Sequence, residues 1–295
     1  METPANEISR DVTLCNKILP RVMRRIVRTL ARAGFYTHRP SFRAILITGA
    51  SSGIGAALAR FYAAPHRTLM LWGRDEARLG EVAEACRAGG ATVLTRSVDL
   101  ADGVAALDAF REDDAATPFD LVALSAGLGD MKRASDQVER AESVFKLGVV
   151  NYATPAALTM AAAERMKERG GGSIGLIGSA GAFHDVPFAA GYGGSKAGLA
   201  RFASSARIAL APFGVQITLI APGFVDTAMS RKLVGPRPFL VSADDAARRI
   251  AKALAVGRAE LVFPWPFRLL RRIDQITPRP IGDALMRRLK ADQKA

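Results

Sequence analysis

Tyr192 and Lys196 stand four positions apart in a stretch of helical character, which puts both side chains on one helix face. A tyrosine hydroxyl ordinarily ionises near pH 10 and is a poor proton-transfer group at neutral pH. A nearby ammonium favours the phenolate and lowers that value, so such a pair could exchange a proton with a carbonyl or an alcohol. A second chemical signature is Thr48-Gly49-Ala50-Ser51-Ser52-Gly53-Ile54-Gly55, which follows an apolar run and opens a helical pattern. Glycines there let the backbone approach a pyrophosphate while the helix N-terminus faces its charge. Gly49, Ser51, Ser52, Gly53, Ile54 and Gly55 are therefore expected to hold a dinucleotide.

The next strand pattern ends Leu71-Trp72-Gly73-Arg74. An acidic residue at that point would hydrogen-bond a ribose 2′-hydroxyl, whereas an arginine accommodates a 2′-phosphate. Gly73 stands in the acid's place and Arg74 follows, which favours NADP over NAD. Asp75 reads as a helix cap.

These residues need elements to hold them. Short aliphatic runs predict strands at Ala44–Thr48, Thr68–Trp72, Thr92–Val98, Leu121–Leu124, Ile174–Gly178, Val215–Ala221 and Glu260–Phe263. Helical patterns fill the gaps: Gly53 to Ala63, Asp75 to Ala88, Ala101 to Asp113, one long helix from Glu139 to Lys167, Tyr192 to just before Pro212, and Ala243 to Ala255. Alternation of this kind predicts an α/β fold, a Rossmann-type doubly wound parallel sheet of about seven strands covered on both faces.

Of 295 residues, 49% are hydrophobic and 23% charged, which excludes a mostly disordered chain and supplies a full core. The net charge of +13 is concentrated at the ends, with +6 in residues 1–43 and +5 in residues 264–295. A nucleic-acid enzyme would more often carry its basic patch around the active cleft, so no nucleic-acid partner is expected. The chain divides into a basic amphipathic extension at 1–42, a catalytic body at 43–263, and a basic, aromatic extension at 264–295. In the first extension Ile18, Leu19, Val22, Ile26 and Leu30 alternate with Arg21, Arg24, Arg25, Arg28 and Arg32. In the second, Trp265 and Phe267 adjoin Arg268, Arg271 and Arg272. Two roles fit these ends: packing on the body or between subunits, and peripheral association with an anionic membrane. Cys15 and Cys86 make no disulfide framework or metal motif, and no metal is expected. The longest uncharged runs contain proline and predict no membrane span. Glu2, Glu7 and Asp11 argue against a secretory signal. The expected location is the cytoplasm, with the inner membrane surface as the alternative site for the basic ends.

From about Phe42 to Phe263 the ordered motifs resemble those of the short-chain dehydrogenase/reductase family. Thr48–Gly55 is similar to its TGxxxGIG loop, and Tyr192–Lys196 to its YxxxK. Ser125-Ala126-Gly127 matches the end of NNAG, with Leu124 and Ser125 in place of the asparagines. Pro222-Gly223 and Thr227 resemble PGxxxT. The resemblance implies an active-site asparagine at Asn151, holding a water in a proton relay, and a substrate-orienting serine at Ser179. It implies that Lys196 also binds the nicotinamide ribose. It adds Asp99 and Leu100 on the adenine side, and Ser125, Ala126, Gly127, Pro222, Gly223, Val225 and Thr227 along the cofactor.

The reading that results is an NADP-dependent oxidoreductase moving a hydride between nicotinamide and a carbonyl or alcohol. The segment after Pro222, with Phe224, Val225, Met229, Leu233, Phe239 and Leu240, favours an apolar substrate. His184 reads as a loop histidine. The resemblance implies a homodimer or homotetramer, paired through helix positions such as Val150, Ala153, Ala203 and Ala206. A noncatalytic NADP-binding regulatory or scaffold protein of the same fold is the competing class. The intact set Asn151, Ser179, Tyr192 and Lys196 argues for the enzyme.

Overall fold

The computed structural model describes residues 42–129, 136–286 and 292–293. The amphipathic pattern expected at 18–32 lies outside them. Seven strands form one parallel sheet: β1 (Ala44–Thr48), β2 (Thr68–Gly73), β3 (Thr92–Ser97), β4 (Leu121–Leu124), β5 (Gly172–Ile177), β6 (Val215–Pro222) and β8 (Glu260–Phe263). Their order is β3-β2-β1-β4-β5-β6-β8. A two-residue strand β7 (Leu233–Val234) pairs antiparallel with β9 (Asp292–Gln293), outside the main sheet.

Strand side chains alternate between two cores, as the pleat requires. Ile45, Ile47, Leu69 and Leu71 join one, packed by α1 (Gly53–Tyr62), α2 (Glu76–Ala88) and α8 (Ala243–Ala255). Leu46, Met70 and Trp72 join the other, packed by α3 (Gly103–Ala116), α5 (Thr154–Glu168) and α6 (Ala190–Leu210). Both faces are thus dry, which explains why the strands read as continuous aliphatic runs. Trp72 completes its burial by donating Nε1–H to Asp113 Oδ2 at 2.8 Å. Asp75 caps α2, accepting from Arg78 N at 3.0 Å.

The expected single helix from Glu139 to Lys167 is three segments. α4 (Ala141–Gly148) runs into a π-helical turn at Val149–Ala153, and α5 follows. Apolar spacing hardly changes over one wide turn, so sequence periodicity does not reveal it. The helix carrying Tyr192 begins at Ala190, where Gly191 N donates to the Glu139 carboxylate at 3.0 Å. Beyond β8 come α9 (Trp265–Ile276) and α10 (Arg279–Met286), with the short α7 (Ala228–Arg231) after β6. Chain order reverses between β1 and β4. A crevice therefore opens at the carboxyl ends of those strands, where the loops after β1, β4, β5 and β6 meet.

Candidate active site

The loop after β1 has the shape of a phosphate cradle. Gly49 has φ +67°, and a Cβ there would press to 2.7 Å on the Ala126 backbone, so a residue with a side chain would displace the loop after β4. Ser52 stands at the N-cap of α1 with an exposed hydroxyl that makes no capping bond. Ser51 lies against Gly73, while Gly53 adjoins Thr227, whose methyl is 3.1 Å from a Cβ placed on Gly53. Ile54 packs into the core, and Gly55 sits close on Gly49. Arg74 is 56% exposed and 3.9 Å from Asp99, so its guanidinium is open to an incoming anion. Asp99 accepts from Ala101 N at 3.0 Å. Leu100 is buried, and its carbonyl accepts from Thr154 Oγ1 at 2.8 Å. These features fit a dinucleotide along the strand ends.

The loop Ser125–Gly127 is held from both sides. Thr48 Oγ1 accepts from Ser125 N and from Ala126 N, each at 3.1 Å. Asn151, fully buried in the π-turn, accepts from Leu128 N at 2.8 Å and donates to Leu128 O at 2.9 Å. Its amide also donates to Ser195 Oγ at 3.2 Å, and that hydroxyl donates to Tyr192 O at 2.8 Å. Asn151 thus ties the β4 loop to the helix that bears Tyr192. Thr48, Ser195 and Glu139 hold the site together, yet no motif marks them. Their partners lie 3 to 78 positions away.

Lys196 is buried, and its Nζ donates to Ile177 O at 2.9 Å. A Cβ placed on Gly127 would lie 3.1 Å from Asn151 Oδ1 and 3.2 Å from Lys196 Nζ. One placed on Gly181 would lie 3.4 Å from Ser179 Oγ and 4.0 Å from Tyr192 Cε1. Asn151 and Lys196 therefore meet at the loop after β4, and Ser179 and Tyr192 meet at the loop after β5. Burial lowers the Lys196 pKa to about 8. It also pushes the Tyr192 phenol above its ordinary value, and a hydrogen bond with Ser179 opposes that only in part. The expected lowering of the Tyr192 pKa by Lys196 is thus not what this structure shows. Desolvation outweighs the help that Ser179 gives the phenolate.

Pro222 ends β6, and Gly223 N donates to Phe263 O at 2.8 Å. A Cβ on Gly223 would collide with the ring of Phe267 on α9, so this glycine leaves room for that ring. Phe267 stacks edge-on with Phe224 and Phe239 at 6.3 and 6.2 Å. Val225 is buried, and Thr227 caps α7 by accepting from Ser230 N at 3.2 Å. His184 is largely buried, with Nδ1 3.5 Å from Asp274 of α9. Among the described residues no cluster of His, Cys, Asp or Glu has the makings of a metal site, and no helix is long and apolar enough to cross a membrane.

The family model for short chain dehydrogenases matches residues 43–237. An "Uncharacterized oxidoreductase" of Myxococcus xanthus is 34% identical over 253 residues, covering 85% of this chain and 98% of that protein. Hydroxysteroid 11-beta-dehydrogenase 1-like protein A of Xenopus laevis is 31% identical, covering 77% of this chain and 81% of its own. A solved short-chain dehydrogenase from Sphingobium yanoikuyae in complex with NADPH superposes with a TM-score of 0.67. It is 26% identical, covering 84% of this chain and 96% of that one. With its seven-stranded sheet, its glycine loop and this set of relatives, the chain belongs to the short-chain dehydrogenase/reductase family and is a NAD(P)-dependent oxidoreductase acting on CH–OH groups.

Proposed function

We propose that the protein is an NADP(H)-dependent reductase of apolar ketones or aldehydes, with Tyr192 as the proton donor. The observation that carries this is Tyr192 beside Ser179, on the same helix as the buried Lys196, with an aromatic wall after β6 made by Phe224, Phe239 and Phe267. A tyrosine hydroxyl is protonated at neutral pH and can donate to a carbonyl oxygen, and carbonyl reduction is the direction we propose. The nicotinamide supplies the hydride when it is bound. Ser179 orients the substrate oxygen. Lys196, while still an ammonium, steadies the phenolate left after proton transfer and holds the nicotinamide ribose. Asn151 keeps the β4 loop and the Tyr192 helix in register and joins the relay that returns a proton to the tyrosine.

Arg74 carries the preference for NADP, since a 2′-phosphate could displace its weak pairing with Asp99. The relative named hydroxysteroid 11-beta-dehydrogenase 1-like protein A and the aromatic wall both support an apolar, ring-bearing substrate. A homodimer or homotetramer is part of the proposal. Val150, Ala203 and Ala206 face the core, whereas Ala153 is exposed, so the pairing surface is Ala153 with the exposed Phe145, Tyr152, Met160 and Ile208. The test is oxidation of NADPH and of NADH by the purified chain against a panel of apolar ketones. Turnover with NADPH well above that with NADH supports the reading. Cofactor binding with no turnover on any ketone or aldehyde would favour the noncatalytic alternative.

A further inference from the structure

Helix α9 turns a mixed face to the body and leaves a largely apolar stripe, flanked by the exposed Arg268 and Arg272, in water. Its inward residues are Phe267, Arg271 and Asp274, spaced four and three apart on one face. Phe267 rests on Gly223, while Arg271 pairs with Glu260 and stands 3.6 Å over the Phe183 ring. Asp274 faces His184. The opposite face presents Trp265, Leu269, Ile273 and Ile276, which are 70, 51, 46 and 81% exposed. A helix on a globular surface ordinarily buries such a stripe, so this one is shaped for something beyond the described residues.

The charge beside the stripe says what. Arg258, Arg268, Arg271 and Arg272, with Glu260 and Val262, line a cleft of about 300 Å³. Glu260 is taken by Arg271. Among the described residues Arg258, Arg268 and Arg272 have no carboxylate partner. A second copy docked by a twofold axis would bring this basic face against itself, like charge on like. An anionic bilayer instead offers hydrocarbon to the stripe and phosphates to the arginines, and a tryptophan at the helix start suits the headgroup depth. We propose that helix Trp265–Ile276 is an in-plane anchor that lies on an anionic lipid surface, with Arg258, Arg268 and Arg272 taking lipid phosphates. Because its inner face touches Gly223 and Phe183, an apolar substrate would enter the site from the lipid side. That last step rests on the apolar-substrate reading, whereas the docking itself does not.

The test is co-sedimentation of the full chain with phosphatidylcholine vesicles, with and without phosphatidylglycerol, at low and high salt. Tryptophan emission is followed alongside, because Trp72 is buried and Trp265 is the solvent-facing reporter. Expected are binding only to the anionic vesicles, its loss at high salt, and a blue shift of Trp265. The double variant Arg268→Ala/Arg272→Ala should bind about thirtyfold more weakly at low salt. Leu269→Ser/Ile273→Ser should lose the blue shift, with an unchanged circular-dichroism melt showing that each variant folds. Full binding by both variants would place the contact elsewhere in the chain and overturn the proposal, as would wild-type binding without a Trp265 shift. So would a wild type that ignores vesicles but falls to half its mass when the stripe is made polar, which marks an interface between copies.

Discussion

Two buried ionic regions of this molecule are built to opposite rules. Beneath the sheet, Asp114 accepts two hydrogen bonds from Arg169 at 2.7 and 2.9 Å, one from Arg165 at 3.2 Å, and one from Phe119 N at 3.0 Å. Burial alone would raise its pKa, but these partners more than offset that and hold the carboxyl below its ordinary range. At the site, Lys196 is also buried, yet it has one neutral acceptor, Ile177 O, and no carboxylate partner among the described residues. Tyr192 beside it keeps its proton. Where the fold needs a buried charge it neutralises it completely. At the proposed site the charge is left without a carboxylate partner, which on our reading ligand and substrate complete, at a cost to the stability of the free protein.

Substitution at each region should break this contrast in a different direction. Lys196→Met should cut turnover by roughly a thousandfold. It should also raise the melting temperature of the free protein, because the buried amine no longer has to be accommodated. A fall in melting temperature would mean that Lys196 is structural. Arg169→Ala should destabilise the fold by about 3 kcal/mol, leaving Asp114 buried and poorly paired, with turnover per folded molecule unchanged. Denaturant titration measures the first and active-site-normalised rates the second. Arg74→Ala, at the exposed rim, should weaken NADPH about ten- to a hundredfold and leave NADH unchanged. Equal loss for both cofactors in a binding titration would remove Arg74 from 2′-phosphate recognition.

The smallest effects lie in pH. Asp114 has a lowered folded pKa, so its contribution to stability is present above the unfolded value of 3.8 and is lost as pH falls through the folded one. Lys196 has a folded pKa of about 8 against 10.5 unfolded, so its penalty applies in full below pH 8 and fades as pH rises through that window. Melts of wild type and Lys196→Met should converge above pH 10 and diverge below 8. Parallel curves throughout would contradict the assignment.

Much of this site was readable in advance where it depends on local order. The four-residue spacing of Tyr192 and Lys196 puts both on α6, and the glycine loop between β1 and α1 falls where the pattern places it. The sheet edges moved by only a residue or two, as at Gly172–Ile177. What was not readable depends on packing. Thr48 reaches the β4 loop across 77 positions, and the π-turn around Asn151 leaves apolar spacing nearly intact. The direction of the Tyr192 shift follows from how deeply the phenol is buried, which no spacing encodes. Likewise Val150, Ala203 and Ala206 have the small apolar character of a subunit interface but are spent on the core. The face that α9 turns outward becomes evident only once Phe267 is seated on Gly223.

The most direct test of Tyr192 as proton donor is a single turnover of wild type and Tyr192→Phe, each loaded with NADPH and mixed with an apolar ketone that the wild type reduces. The variant should bind NADPH as tightly as the wild type and transfer its hydride at least about a hundredfold more slowly. Hydride transfer by Tyr192→Phe at the wild-type rate would contradict the assignment and require a different acid.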